Sequence, residues 1–325
     1  MSEYRSLAEK FANKEVVILD GAVGTQLQSL HVPMNSHAWA AEALLSHPYT
    51  VRRMHESYIE AGCDVITVNS YASARHNLEP LGQGDLTHEL NLRAVMLAED
   101  ARERAAKARP VWIAGSVSNF GLLACNEPYS EAEIAKYFGP RSVLSEAQSR
   151  ANLREQAEIL AEAGVDLLLA EATGSPTQRT WVVEACVATG LPVWAGFRCH
   201  QRADDATVRV GYCSEETLAD TATDVMALGA AGLTIFHTFI STTEAALPIA
   251  RQAWDGPLGV YPEAEREDYV DTYRDSAESQ HVSPEDFVAF AQRAVGQGVQ
   301  LVGGCCGIEL EHIRPLRDAL PSHID

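Results

Sequence analysis

Short apolar runs alternate with longer amphipathic ones along the whole of this chain, and that alternation narrows the folds open to it. The short runs are Val16–Leu19, Asp64–Val68, Val111–Ala114, Val165–Ala170, Pro192–Phe197, Gly232–Phe236, Pro257–Tyr261 and Gln300–Val302. Most are continuously apolar, the pattern of a strand buried on both faces. Helical periodicity between them predicts helices over 50–61, 86–108, 131–138, 143–163, 177–189, 215–228, 243–254 and 284–296, with a helix-like segment at 309–320. Eight strand-then-helix units in 325 residues predict one domain over 1–325, a single (β/α)8 TIM barrel of the α/β class.

An open, doubly wound sheet has the same periodicity, so the polar residues decide. Asp20, Asn69, Gly115, Glu171, Phe197, His237, Tyr261 and Cys305 each fall at or just past the end of a short run. In a barrel those ends form the active-site face. The acidic, polar stretch Glu263–Ser283 reads as an excursion on the same face or a mobile loop.

Charge and cysteine usage exclude several classes. A formal net charge of -20 and a pI near 4.9 disfavour nucleic acid and anionic membrane surfaces as partners. No apolar run approaches the length needed to span a bilayer. Seven scattered cysteines, with no signal-like amino terminus, predict reduced thiols in the cytoplasm. Cys63 and Cys186 fall in the helical pattern, and Cys199 and Cys213 lie beyond the fifth run.

Gly303-Gly304-Cys305-Cys306-Gly307 follows the eighth run and precedes the last helix-like segment. Adjacent cysteines in a tight turn strain a mutual disulfide, but two thiolates suit one zinc ion. A catalytic zinc takes three protein ligands and keeps one position open, and His237, at the end of the sixth run, is the best-placed third. Two small buried hydrophobes and a core histidine would be the bland alternative. Asp20 and Glu171 are carboxylates at strand ends; they could bind an ammonium group, act as acid and base, or cap the next helix. Trp39 and Tyr71 sit in segments that would overhang the barrel mouth, where aromatics either hold an alkylated cation or pack a loop.

Taken together, these residues resemble the homocysteine S-methyltransferase family, a zinc-containing (β/α)8 barrel that methylates a thiol. The likeness runs from Asp20-Gly21 through Glu171 to the glycine-flanked cysteine pair. Trp39-Ala40-Ala41-Glu42-Ala43, His47-Pro48 and Tyr71-Ala72-Ser73 look closer to its betaine-using branch. The resemblance implies that Asp20, Gly21 and Glu171 bind the acceptor and that Trp39 and Tyr71 hold a quaternary ammonium donor. Two departures stand out. Ungapped alignment sets His237 on the family's third zinc-binding cysteine, and the family's Tyr-Pro-Asn is Tyr261-Pro262-Glu263 here.

The function implied is zinc-dependent transfer of a methyl group from a small sulfonium or betaine-like donor to a thiol acceptor such as homocysteine, forming methionine. A zinc-retaining barrel with another acceptor or reaction, and a non-catalytic thiol-binding regulator, are the alternatives.

Overall fold

The computed structural model describes residues 4–34, 38–107, 109–122, 143–172, 176–202, 205–211, 214–264 and 282–324. Ten strands fall in that range: β1 (Val17–Ile18), β2 (Val65–Thr67), β3 (Trp112–Ser118), β4 (Leu167–Ala172), β5 (Val193–Phe197), β6 (Cys199–Arg202), β7 (Asp205–Val210), β8 (Gly232–Phe239), β9 (Leu258–Glu263) and β10 (Leu301–Val302). Eight of them form one parallel sheet in chain order, interrupted only by β6 and β7, which pair with each other as an antiparallel hairpin. β10 returns to pair with β1.

The remaining gap, between β1 and β2, is bridged as well. Leu19 pairs with Val65, the Asp64 amide donates to the Ile18 carbonyl at 2.7 Å, and the Asp20 amide donates to the Val65 carbonyl at 3.0 Å. The sheet is therefore the expected (β/α)8 barrel, since a doubly wound sheet would reverse its strand order.

Two apolar layers hold it. Alternate strand residues point inward, where Val17, Leu19, Trp112, Ala114, Leu167, Leu169, Trp194 and Leu301 fill the interior. The amino-terminal helix Tyr4–Ala12, absent from the sequence-based reading, adds Leu7 and Phe11 to that cluster. Phe11 packs on Trp194 with ring centroids 4.9 Å apart, and the Gln300 amide ties its carbonyl to the base of β10 at 2.9 Å. That plugs the floor of the barrel. The outward residues meet the helices; Pro284–Gly296, for example, buries Phe287, Phe290, Ala291 and Ala294. Its start is set by Ser283, whose side chain accepts from the Asp286 amide at 3.1 Å.

Several boundaries differ from the sequence reading. β3, β4, β8 and β9 run on through Ser118, Ala172, Phe239 and Glu263, so Gly115, Glu171, His237 and Tyr261 lie within strands rather than at or beyond their ends. The segment 309–320 is two short helices, Leu310–Ile313 and Leu316–Ala319, because Pro315 between them has no amide to continue the first. Cys63 lies in the turn before β2, not on a helix. The helix expected over 131–138, Cys213, and residues 265–281 of the polar stretch lie outside the described residues. Among the described residues no helix is long and apolar enough to cross a membrane.

Candidate metal centre and substrate pocket

The turn after β10 is wedged between the ends of β1 and β9. The Gly304 amide donates to the Asp20 carbonyl at 3.0 Å and the Cys305 amide to the Pro262 carbonyl at 2.8 Å. Ala264 returns a bond to the Cys306 carbonyl at 2.8 Å, and Thr25 accepts from the Gly307 amide at 3.1 Å. The flanking glycines are required by space and conformation. A Cβ on Gly304 would lie 2.2 Å from Ile308, and Gly307 has a φ of +75° with Ala264 2.8 Å from its would-be Cβ.

β8 delivers His237 by breaking its own regularity. Phe236 pairs with Tyr261 and faces inward, their rings 5.4 Å apart. Strict alternation would send His237 outward to the helices. Instead the register slips between Phe236 and Phe239, and His237 takes a φ of 46°. Left-handed backbone at a non-glycine residue costs about 1–3 kcal/mol and gathers at functional positions.

The result is a compact donor set. Ligand atoms of His237, Cys305 and Cys306 all lie within 4.8 Å of one another. Nδ1 of His237 is 3.5 Å from the Cys305 sulfur, and the two sulfurs are 4.0 Å apart. A tetrahedral zinc with Zn–S of ~2.3 Å and Zn–N of ~2.0 Å has N···S edges of ~3.5 Å and S···S edges of ~3.8 Å. The side chains thus fit such an ion.

Electrostatics within the pair favour metal binding too. A hydrogen bond from the Cys305 thiol, helped by nearby His237, lowers the Cys306 thiol to about 6. Cys305 correspondingly holds its proton well above the ordinary thiol range. By contrast, burial pushes up the thiols of Cys63, Cys186 and Cys199, leaving them inert.

Glu263, which the sequence reading marked only as a departure from the family pattern, completes the cluster. It ends β9 at 1% exposure, and its Oε2 is 3.0 Å from Nδ1 of His237.

Two more carboxylates stand beneath the mouth. Asp20 accepts from the Thr67 amide at 2.7 Å and its hydroxyl at 2.8 Å, tying β1 to β2. Asp20 caps no helix: the next one, Gly24–Ser29, has Val23 at its cap position. Glu171 accepts from the Ser116 hydroxyl. Ser116 is itself clasped by Ser70, whose hydroxyl donates to its carbonyl at 2.7 Å and accepts from its amide at 3.1 Å.

Burial raises the Asp20 carboxyl to about 8, with the Glu171 charge adding to the effect, and raises Glu171 to about 7. Two such groups side by side favour a cation between them. Tyr261, 3% exposed, brings its hydroxyl beside Glu171 and Thr234 without a properly oriented hydrogen bond to either. Gly21 allows the turn after Asp20 to close, since a Cβ there would lie 2.4 Å from the Ile308 carbonyl.

The aromatic pair is less concentrated. Trp39, with a φ of 44°, lays its indole against Gly24. Tyr71 stacks on Phe120 at 5.4 Å, and its carbonyl accepts from Ser118 at 2.6 Å. The two stand on separate loops, after β1 and β2, each packed on its own neighbour.

Comparison with known proteins agrees with the fold. The family profile described as homocysteine S-methyltransferase matches residues 17–320. A selenocysteine methyltransferase of Astragalus bisulcatus is 28% identical over 94% of this chain and 92% of its own length. The S-methylmethionine–homocysteine S-methyltransferase BHMT2 of Pongo abelii is 27% identical over 97% of this chain and 81% of its own. The metallated form of the homocysteine methyltransferase MmuM from Escherichia coli shares the fold, with a TM-score of 0.71 at 24% identity over 97% of this chain and 99% of that one. The chain belongs to the homocysteine S-methyltransferase family and is an S-methyltransferase of small molecules.

Proposed function

We propose that the protein transfers a methyl group from a small sulfonium or quaternary ammonium donor to the thiol of homocysteine, with zinc held by His237, Cys305 and Cys306. When bound, the zinc supplies a positive centre that lowers the pKa of an acceptor thiol and holds it in place. His237 and the two cysteines lie close enough together to hold the ion between them, and a zinc so held would keep one further position for that sulfur. Asp20 and Glu171 bind the acceptor's ammonium group, which draws both carboxyls into their charged forms. Gly21 lets the backbone come close to the amino acid. Trp39 and Tyr71 face the donor's cation from the loops above. The acceptor thiolate then forms a bond to the methyl carbon as the donor's C–S or C–N bond breaks, leaving methionine and a neutral thioether or tertiary amine. The site contributes alignment and exclusion of water.

One observation carries this reading: the 3.5 Å approach of the His237 Nδ1 to the Cys305 sulfur at the barrel mouth. A sulfonium donor is favoured by the name of the Pongo abelii relative, which uses S-methylmethionine, and a betaine donor by the Trp39 and Tyr71 stretches. The test supplies homocysteine with methyl-labelled S-methylmethionine or betaine and follows label into methionine, alongside metal analysis of the protein. Labelled methionine with one equivalent of zinc supports the reading. Metal-free protein of full activity, or no transfer from either donor by zinc-loaded protein, contradicts it.

A further inference from the structure

Asn69 is a strand-end residue to which methyl transfer, as described above, gives no part. It lies two positions beyond β2, 5% exposed, on backbone pinned from both sides. The Val68 amide donates to the Ala114 carbonyl at 2.9 Å, and Ser70 is clasped to Ser116. From that fixed point Nδ2 of Asn69 donates to the Ala40 carbonyl at 2.8 Å, 29 residues back in the chain. Ala40 follows Trp39, and Tyr71 comes two residues after Asn69. One buried side-chain amide therefore joins the loop of the first aromatic to the strand end that carries the second.

Trp39 needs such a tie. Its φ is 44°, and left-handed backbone at a bulky residue persists only where the surroundings hold it. Its ring rests on Gly24, where a Cβ would lie 1.9 Å from the indole Nε1. We infer that Asn69 is a positioning residue of the donor site: its side-chain bond to Ala40 fixes Trp39 relative to Tyr71, with Gly24 as the seat of the indole. The inference rests on the donor roles proposed above for Trp39 and Tyr71. A cation held between two rings gains most when both are in place before it arrives, because ordering a loop on binding subtracts from affinity. The Ala40 carbonyl also accepts from the Ala43 amide at 3.0 Å. Losing Asn69 therefore loosens the loop on the sheet without orphaning a buried acceptor.

The test is Asn69→Leu, which removes the hydrogen-bond donor at nearly constant volume. It is assayed as zinc-loaded protein with saturating homocysteine and methyl-labelled S-methylmethionine or betaine. The apparent donor constant should rise about 3- to 10-fold, the effect of one lost buried hydrogen bond, while zinc content and homocysteine affinity stay parental. In a Trp39→Ala background the same substitution should change the donor constant no further, because Asn69 acts through the indole. A second readout needs no donor. Acrylamide quenching of the Trp39 fluorescence, taken as the difference between each protein and its Trp39→Phe counterpart, should increase in Asn69→Leu. Circular dichroism checks folding, and Asn69→Ala replaces the leucine variant in both assays if that one fails to fold. Parental quenching overturns the inference even where neither donor turns over, and so does a donor effect that survives undiminished in Trp39→Ala. Trp39→Ala alone tests the reading beneath: an unchanged donor constant there removes the donor role of Trp39, whereas a raised one beside a parental constant in Asn69→Leu rejects the role of Asn69 alone.

Discussion

The floor and the mouth of this barrel are built from the same strands by opposite rules. At the floor, Trp112, Leu167, Trp194 and Leu301 meet Leu7 and Phe11 in an apolar plug. A few residues along, the same ring of strands buries Asp20, Glu171, His237 and Glu263, none more than 6% exposed. Burying a large apolar side chain stabilises the fold by about 1.5–3 kcal/mol, whereas burying a carboxyl or an imidazole costs free energy unless it is partnered. The floor thus carries stability, and the mouth draws on it to keep polar groups poised. Four experiments test that division, from the largest effect to the smallest.

Cys305→Ser or Cys306→Ser should abolish stoichiometric zinc and methyl transfer together, read by metal analysis and label transfer. The unfolding midpoint of the metal-free protein should hardly move. A large loss of metal-free stability would make the turn structural and break the comparison.

At the other end, Trp194→Ala should cost about 3–5 kcal/mol, measured by urea unfolding of the metal-free protein. The surviving folded fraction should still bind zinc. Lost zinc with unchanged stability would reverse the roles of floor and mouth.

Glu171→Gln should weaken homocysteine binding about 10- to 100-fold, because it removes a desolvated charge partner from the acceptor's ammonium. Calorimetric titration of zinc-loaded protein would show it, and unchanged affinity would leave Glu171 only its bond to Ser116.

A smaller signature is the pH dependence of stability. Burial raises Asp20 from 3.8 to about 8 and Glu171 from 4.5 to about 7. In this window the folded protein binds more protons than the unfolded chain, so stability is full below about pH 4 and declines as pH rises through 7 to 8. Asp20→Asn should flatten that decline. A parental protein whose stability rises over the same range would contradict it.

The sequence was most legible where packing alone decides the structure. The eight apolar runs became the eight barrel strands because both faces are covered, and Pro284–Gly296 came out as read because Ser283 and Pro284 mark its start. Legibility failed at the mouth. Ser116, Glu171 and His237 interrupt the apolar pattern, so the strands seem to stop there although their backbone pairing continues through Ser118, Ala172 and Phe239. The hairpin of β6 and β7 carries polar residues such as Gln201 and Asp205, and no apolar run announces it. Cys305 and Cys306 were visible through their glycines. Glu263 was not, because its partner comes from a strand 26 residues earlier and the pairing depends on a register slip that no periodicity encodes.

The central claim is that His237, Cys305 and Cys306 hold one metal ion whose fourth position takes the acceptor sulfur. Zinc-edge X-ray absorption of the purified protein, without and with homocysteine, tests it most directly. The predicted result is two sulfurs and one imidazole nitrogen around zinc, rising to three sulfurs when homocysteine binds, with the imidazole signal lost in His237→Ala. A zinc shell without imidazole, or a sulfur number that homocysteine leaves unchanged, would contradict the account.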